Sequence, residues 1–316
     1  MLLAVVIYGG FVFYSGFQSL KVALLGFYWP ALFAALGLSF FNYLLRFGKW
    51  QFYLSRLGVR GVQRLDSFLI FLSGFVLTIT PGKVGEVFKS AVLHETHGVD
   101  PVRTAPIILA ERLTDVIAIV VLIAVGSLGF SGGALWALLG AVAVAVGVLL
   151  IAWPVPLLRL ISWVETKPGL KKWAPQLRVA HTSLLVVASP AALFYPTFLS
   201  IVGWGAEGFS LWLLLQGFQQ TTPVFLAVFF YATATLAGAL VPVPGGLGVA
   251  EGIMQSQLLN LGGVALGAAT ASMLLIRFST LWFAVIVGFV ALWLLKLKYP
   301  KLLSPKLSAG TKSAVR

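Results

Sequence analysis

The chain has 316 residues, 59% of them apolar or aromatic and only 10% charged, against about 25% charged in an ordinary soluble domain. With a mean hydropathy of +0.99, this composition excludes a soluble globular enzyme, because a single water-solvated core cannot cover so much apolar area. The formal net charge of +13 would suggest nucleic acid in a soluble chain, but the basic residues here fall mostly between apolar blocks, where they orient a protein in a bilayer.

Nucleic acid is therefore not expected as a partner. With no cysteine and three histidines, disulfides, thiol catalysis and iron–sulfur clusters are excluded, and neither a metal nor a cofactor is expected. The segment His94-Glu95-Thr96-His97 has the wrong spacing for a zinc-binding helix.

Apolar blocks occur at about 2–17, 27–47, 66–80, 104–128, 134–153, 191–216, 223–241 and 263–295. The first lacks a basic leader and a small-residue cleavage site, so it reads as a retained helix and not a signal peptide. Basic residues concentrate at 46–64 (Arg46, Lys49, Arg56, Arg60, Arg64), at 155–189 and after 295, and short loops rich in Lys and Arg stay cytoplasmic. Both termini are then cytoplasmic. The connector 155–189 reads as an amphipathic segment on anionic headgroups, and 296–316 as a basic, disordered cytoplasmic tail.

With those segments inside, residues 66–93 begin and end on the cytoplasmic side, and 223–262 begin and end outside. One crossing cannot do either, so each is expected to be a re-entrant helical hairpin. The breaks are Pro81-Gly82 with Gly85, and Pro244-Gly245-Gly246 with Gly248. The expected fold is an inverted-topology repeat with about six spanning helices and two hairpins: a first membrane repeat over 1–130, a second over 131–295, then the tail.

The repeat is written in residues. Both hairpins read Pro-Gly-x-x-Gly followed by Glu (Glu86 and Glu251), the second with two extra residues. An arginine follows each glutamate at 26 residues, as Arg112-Leu113-Thr114 and Arg277-Phe278-Ser279. At the same offset of 165, Asn42 matches Glu207. Inverted repeats with broken helices are a transporter architecture, with the site near the midplane. The half-helices at about 83–93 and 248–260 would aim free N–H groups into the membrane, a seat for phosphate.

Six charges, Glu86, Glu111, Arg112, Asp115, Glu251 and Arg277, fall in apolar surroundings. Unpaired, they would cost about 15–21 kcal/mol at roughly 2.5–3.5 kcal/mol each. Either they form structural ion pairs (Glu86–Arg112, Glu251–Arg277, Arg112–Asp115), or they line a polar substrate cavity, or both. The expected substrate-binding residues are Lys83, Glu86, Arg112, Asp115, Glu251 and Arg277, with Lys83 as phosphate clamp in preference to a snorkelling side chain. Lys89 is expected at the cytoplasmic interface. Glu207 fits either the cavity or the outer surface. Gly203, Gly205, Gly208, Gly262 and Gly263 read as helix-packing or kink positions.

The constellation Pro81-Gly82-x-x-Gly85-Glu86, Glu111-Arg112-Leu113-Thr114-Asp115 and Pro244-Gly245-Gly246-x-Gly248-x-x-Glu251 resembles the lysylphosphatidylglycerol synthase transmembrane-domain family, over about 40–295. The resemblance implies a multi-pass lipid-translocating fold of the prokaryotic cytoplasmic membrane. No soluble aminoacyl-transfer segment follows the last apolar block, so the resemblance is to the stand-alone flippase-type domain and does not extend to lipid synthesis. The expected function is a flippase for a phosphate-bearing lipid, either aminoacyl-phospholipid or polyprenyl-phosphate-linked, without catalysis and with alternating access by rocking of the repeats. Its partners would be anionic membrane lipids and a lipid-modifying enzyme. The alternatives are a non-transporting scaffold for anionic lipid and a synthesis partner, or an intramembrane enzyme using Glu86 or Asp115 as base.

Overall fold

The computed structural model describes residues 2–80, 87–128 and 174–303, together with positions 135, 138–140, 142, 162, 163 and 166. Among these residues the fold is all-α, with no strand. The expected hairpin break at Pro81, Gly82 and Gly85, the site residues Lys83 and Glu86, most of the block at 134–153, most of the connector's first half, and 304–316 lie outside the described residues.

The first apolar block is not one helix. Helix α1 (Leu2–Ser15) and helix α2 (Phe17–Leu25) are bent by 89° at Gly16, whose φ of 76° suits a residue without a Cβ. Helix α3 (Pro30–Arg56) starts on a proline at its first turn, where no N–H is needed. It buries Ser39, Asn42, Tyr43, Lys49, Trp50 and Tyr53, which recur at intervals of three, four and seven and hence lie on one side.

The first hairpin comprises α4 (Arg64–Ser73), a 3₁₀ turn (Gly74–Leu77) and α5 (Val87–His97). At 10 and 11 residues, its helices rise about 15–17 Å each, roughly half the hydrocarbon thickness. The single turn α6 (Pro101–Thr104), capped by the Asp100 side chain on Val102 N–H, leads into α7 (Pro106–Ser127). Helix α8 (Ala174–Val187) precedes α9 (Pro190–Gly217). The second hairpin is α10 (Val224–Leu240), a 3₁₀ turn (Pro244–Gly246) and α11 (Val249–Asn260). Finally, α12 (Leu266–Arg277) continues through a π turn (Phe278–Trp282) into α13 (Phe283–Lys298). Helices α3 and α9 and the run Leu266–Lys298 are long and apolar enough to cross a membrane, and α1 with α2 passes that test as a bent pair.

Helices α3 and α9 pack antiparallel along their length. Phe52 meets Tyr195 with ring centroids 5.4 Å apart, Lys49 Nζ donates to Ser200 Oγ at 2.7 Å, and Asn42 Nδ2 donates to Glu207 Oε1 at 2.6 Å. At their other end Phe27 lies on Phe218 at 4.4 Å. Two antiparallel helices related by a fixed offset bring a residue onto its own counterpart at one place only, and at the offset of 165 that place is Asn42 and Glu207. Close approach there requires Gly203, where a Cβ would lie 2.2 Å from Asn42 Oδ1.

The closing helices are exchanged. Helix α7 packs on α9 and on α10 of the second hairpin, while α13 packs on α4 and the 3₁₀ turn of the first. Small residues make both contacts: a Cβ on Gly126 would meet Phe229 Cβ at 2.8 Å, and one on Gly288 would meet Val76 N at 2.6 Å. Gly208 and Gly262 also sit in tight packing.

Several expectations are corrected. Arg46 and Lys49 are not in a cytoplasmic loop but inside α3, which runs past the apolar block to Arg56; Lys49 is 1% exposed because Asp115 pairs with it. Lys89 does not reach the interface: it is buried against Glu111. The second half of the connector does more than lie on headgroups, since α8 packs on α6 and α7 and Val187 is fully buried. Residues 296–303 are ordered, with Lys298 and Tyr299 both holding Asp66.

Candidate functional site

Both hairpins reach a common cavity of about 170 Å³. Thr78 and Thr80 come from the end of the first hairpin's ingoing arm, and Val243, Gly245 and Gly246 from the break in the second. Three guanidiniums line the wall, Arg46 from α3, Arg112 from α7 and Arg277 from α12, against one carboxylate, Glu207 from α9. Tyr43, Tyr231, Thr235 and Thr280 add hydroxyls. At this volume, below the roughly 300–1,000 Å³ of drug-sized sites, the cavity admits only a small polar group.

The second hairpin is built around Glu251, which is fully buried. Arg277 Nε donates to Glu251 Oε1 at 2.6 Å, and its Nη2 donates to the Gly245 carbonyl at 2.7 Å. Glu251 Oε2 accepts from the Gly248 N–H at 2.7 Å, so the chain's own carboxylate already lies back on the start of α11, where the sequence predicts an open phosphate seat. Tyr8 of α1 donates to Glu251 Oε1 at 3.3 Å and accepts from Trp282 Nε1 at 3.1 Å. Gly246, at φ 67°, passes so close to Gly238 that a Cβ would meet its backbone at 3.0 Å. That turn needs glycine for both conformation and space.

On the other side, Arg112 Nη2 lies 3.3 Å from Asp115 Oδ2. Asp115 Oδ1 accepts from Lys49 Nζ at 2.8 Å and from Ser200 Oγ at 2.9 Å. One turn before Asp115, Glu111 Oε2 pairs with Lys89 Nζ at 2.5 Å. The Lys89 ammonium also sits 4.6 Å from the centre of the Trp50 ring.

The π turn after Arg277 has a local role. The Thr280 carbonyl within it accepts from Tyr43 Oη at 3.2 Å, tying α12–α13 to α3 at the cavity wall. Glu207 is held on both oxygens, by Asn42 and by the Tyr231 hydroxyl.

Among the expected site residues, Arg112 and Arg277 line the cavity together, and Asp115 and Glu251 stand behind them as their ion-pair partners. Glu207 takes the cavity position and not the outer surface. The sequence reading missed Arg46, Tyr43, Tyr231 and the threonines. Arg46 could have been found four residues after Asn42, on the same side of α3.

The family comparison decides the assignment: the model of the lysylphosphatidylglycerol synthase TM region matches residues 1–288. The chain belongs to this family. No curated protein matches it. The match takes in both hairpins and every cavity residue named above, and with the spanning helices it makes the chain a multi-pass membrane protein of a lipid-related family.

Proposed function

We propose that the protein is a flippase that moves a phosphate-bearing lipid between the leaflets of the cell membrane, without catalysing a reaction on it. The observation that carries this reading is the meeting of both hairpins at a cavity walled by Arg46, Arg112 and Arg277. Guanidiniums recognise phosphate through paired hydrogen bonds in a fixed fork, and ionisable groups at membrane depth mark substrate paths. The headgroup passes through the cavity while its chains stay in lipid. Aminoacyl-phospholipid and polyprenyl-phosphate lipids share the chemistry these arginines read.

Arg277 is oriented by Glu251 and Gly245, and Arg112 by Asp115, so both are held for the headgroup in advance of its arrival. Because each closing helix packs on the other half's hairpin, the moving units are hairpin one with α13 and hairpin two with α7. Access alternates as these two exchanged units part on one side and then the other. A lipid-modifying enzyme on the same membrane would supply the cargo.

The test is a liposome assay with fluorescent phosphatidylglycerol and a quencher confined to the outer leaflet. Wild-type protein is expected to speed leaflet exchange, and Arg112→Ala and Arg277→Ala variants that remain folded are expected to lose most of it. Lipid binding without exchange would instead favour a scaffold, and chemical conversion of the lipid an enzyme.

A further inference from the structure

Two buried ion pairs lie beside the cavity but do not line it, and one of them crosses the seam between the exchanged units. Lys89 belongs to the first hairpin, whose ingoing arm packs on α13, and Glu111 belongs to α7, which packs on the second hairpin. Both side chains are 4% exposed and their charged atoms are 2.5 Å apart. Glu111 Oε2 takes the ammonium, while Glu111 Oε1 is buried without a hydrogen-bond partner.

We propose that Glu111 is a proton-binding site that couples lipid movement to a proton gradient; this rests on the transport reading above. The reason is the position of the pair. Headgroup entry on the side of the first hairpin requires the two exchanged units to part there, and parting withdraws Lys89 from Glu111. A carboxylate that has lost its counter-ion while the surrounding protein keeps it poorly hydrated is more stable as the neutral acid, so a water path that delivers a proton without surrounding the group favours protonation. The proton comes from the aqueous phase that entered with the opening and binds at Oε1 or Oε2, giving a neutral carboxylic acid. Lys89 retains the Trp50 and Phe71 ring faces, 4.6 and 5.6 Å from its nitrogen.

When the units close again Lys89 returns, and Glu111 releases its proton into the cavity, then open past the second hairpin. The next residue, Arg112, is on the cavity wall, so proton and headgroup load from the same side and leave together. The other groups facing Glu111 are fixed in kind. Lys49 and Tyr53 come from α3, Asp115 and Arg112 from its own helix, and Ser200 from α9 through its bonds to Lys49 and Asp115. Helix α8, also packed on α7, carries Arg178 and His181. Lys49 and Asp115 pair across α3 and α7, and neither belongs to a hairpin, whereas Lys89–Glu111 joins the first hairpin to the helix that packs on the second.

The test uses full-length protein in liposomes with fluorescent phosphatidylglycerol and an imposed pH gradient. For one proton per lipid, one pH unit should enrich the lipid up to about tenfold in the leaflet facing the alkaline side, one decade per unit. Glu111→Gln should leave the leaflet ratio near one while exchange continues. Because that variant strands Lys89, the neutral pair Lys89→Met with Glu111→Gln provides a version that folds without a buried charge, with the same expected ratio. Wild-type exchange indifferent to the gradient, or a gradient response retained in the neutral pair, overturns the proposal.

A second readout does not need transport. On addition of phosphatidylglycerol, infrared difference spectra should show the carbonyl band of a buried protonated carboxyl, and the band should be missing in Glu111→Gln. If the wild type moves no lipid, the transport reading falls and this band alone decides the proton site: its loss with Glu111 sustains the site, and its absence from wild type removes it.

Discussion

Asn42 and Glu207, 165 residues apart, hydrogen-bond at 2.6 Å in the interior of the α3–α9 contact. The helices come this close because Gly203 has no side chain at that point, and a Cβ there would sit 2.2 Å from Asn42 Oδ1. Gly203→Ala is therefore expected to destabilise by about 1–3 kcal/mol, the usual cost of overpacking. Thermal unfolding in detergent measures it. Gly205→Ala is the control, since its nearest neighbour would be an ordinary 3.7 Å away. Equal melting temperatures for the two variants would contradict the close approach.

Lys49 and Asp115 are almost wholly inaccessible. Removing Lys49 leaves the buried Asp115 with Arg112, at 3.3 Å, as its remaining ion-pair partner, at a cost toward the lower end of about 3–5 kcal/mol, whereas neutralising both is far cheaper. Lys49→Met is expected to lower stability strongly, and Lys49→Met combined with Asp115→Asn to recover most of the loss. A double-mutant cycle on unfolding free energy reads the coupling, and simple additivity would mean that the pair is not a unit.

Asp66, near the start of α4, clasps the end of α13: Lys298 Nζ donates to it at 2.6 Å and Tyr299 Oη at 2.8 Å. Burial by itself pushes the Asp66 carboxyl up, but these hydrogen bonds and the Lys298 charge outweigh it and hold the group below the ordinary carboxylate range. A depressed carboxyl contributes stability above its unfolded value and loses it as pH falls through the lower folded value. Asp66→Asn should cost about 1–3 kcal/mol at neutral pH, with the gap to wild type closing only in strong acid. Melting curves against pH check this, and a gap unchanged in strong acid would count against it. His97, 3.8 Å from Asp66, is held below its ordinary value by burial, with Asp66 opposing and Lys298 assisting. Its charge appears on the acid side of neutrality, where it adds to the groups that hold Asp66 ionised.

Tyr8 links α1 to the Glu251–Arg277 pair and to Trp282. Tyr8→Phe keeps the ring and removes one of several hydrogen bonds to a carboxylate, an expected loss of about 1 kcal/mol. Arg277 stays in place through Glu251 and Gly245, so lipid exchange is expected to fall by less than in Arg277→Ala. Exchange lost to the same extent in both variants would assign Tyr8 a direct part in headgroup contact.

Much of this site could be read from residue spacing. The glutamate–arginine interval of 26 returns as the Glu251–Arg277 pair, the offset of 165 returns as Asn42 on Glu207, and the second hairpin turns at its Pro-Gly break. Lys49 and Lys89 were not readable in the same way. Averaged hydropathy treats each lysine as a cost, and only the folded chain shows that partners 66 and 22 residues away remove that cost. The positions of Asn42, Arg46, Lys49 and Tyr53, spaced four, three and four along a helix, carried the one available signal. Tyr8 had none, because its role depends on a bend at Gly16 that folds α1 toward the second hairpin.

The exchange of closing helices also governs biogenesis. The ingoing arm of the first hairpin, residues 64–77, finds its packing surface on α13, residues 283–298. The ribosome delivers that partner about 200 residues later, roughly 10–40 s at ordinary elongation rates of about 5–20 residues per second. Through that interval two half-length helices with a buried aspartate and a buried lysine have no permanent shelter. The insertion machinery must hold them until α13 emerges, and a ribosome stalled after α7 leaves a fragment suited to degradation and not to partial function.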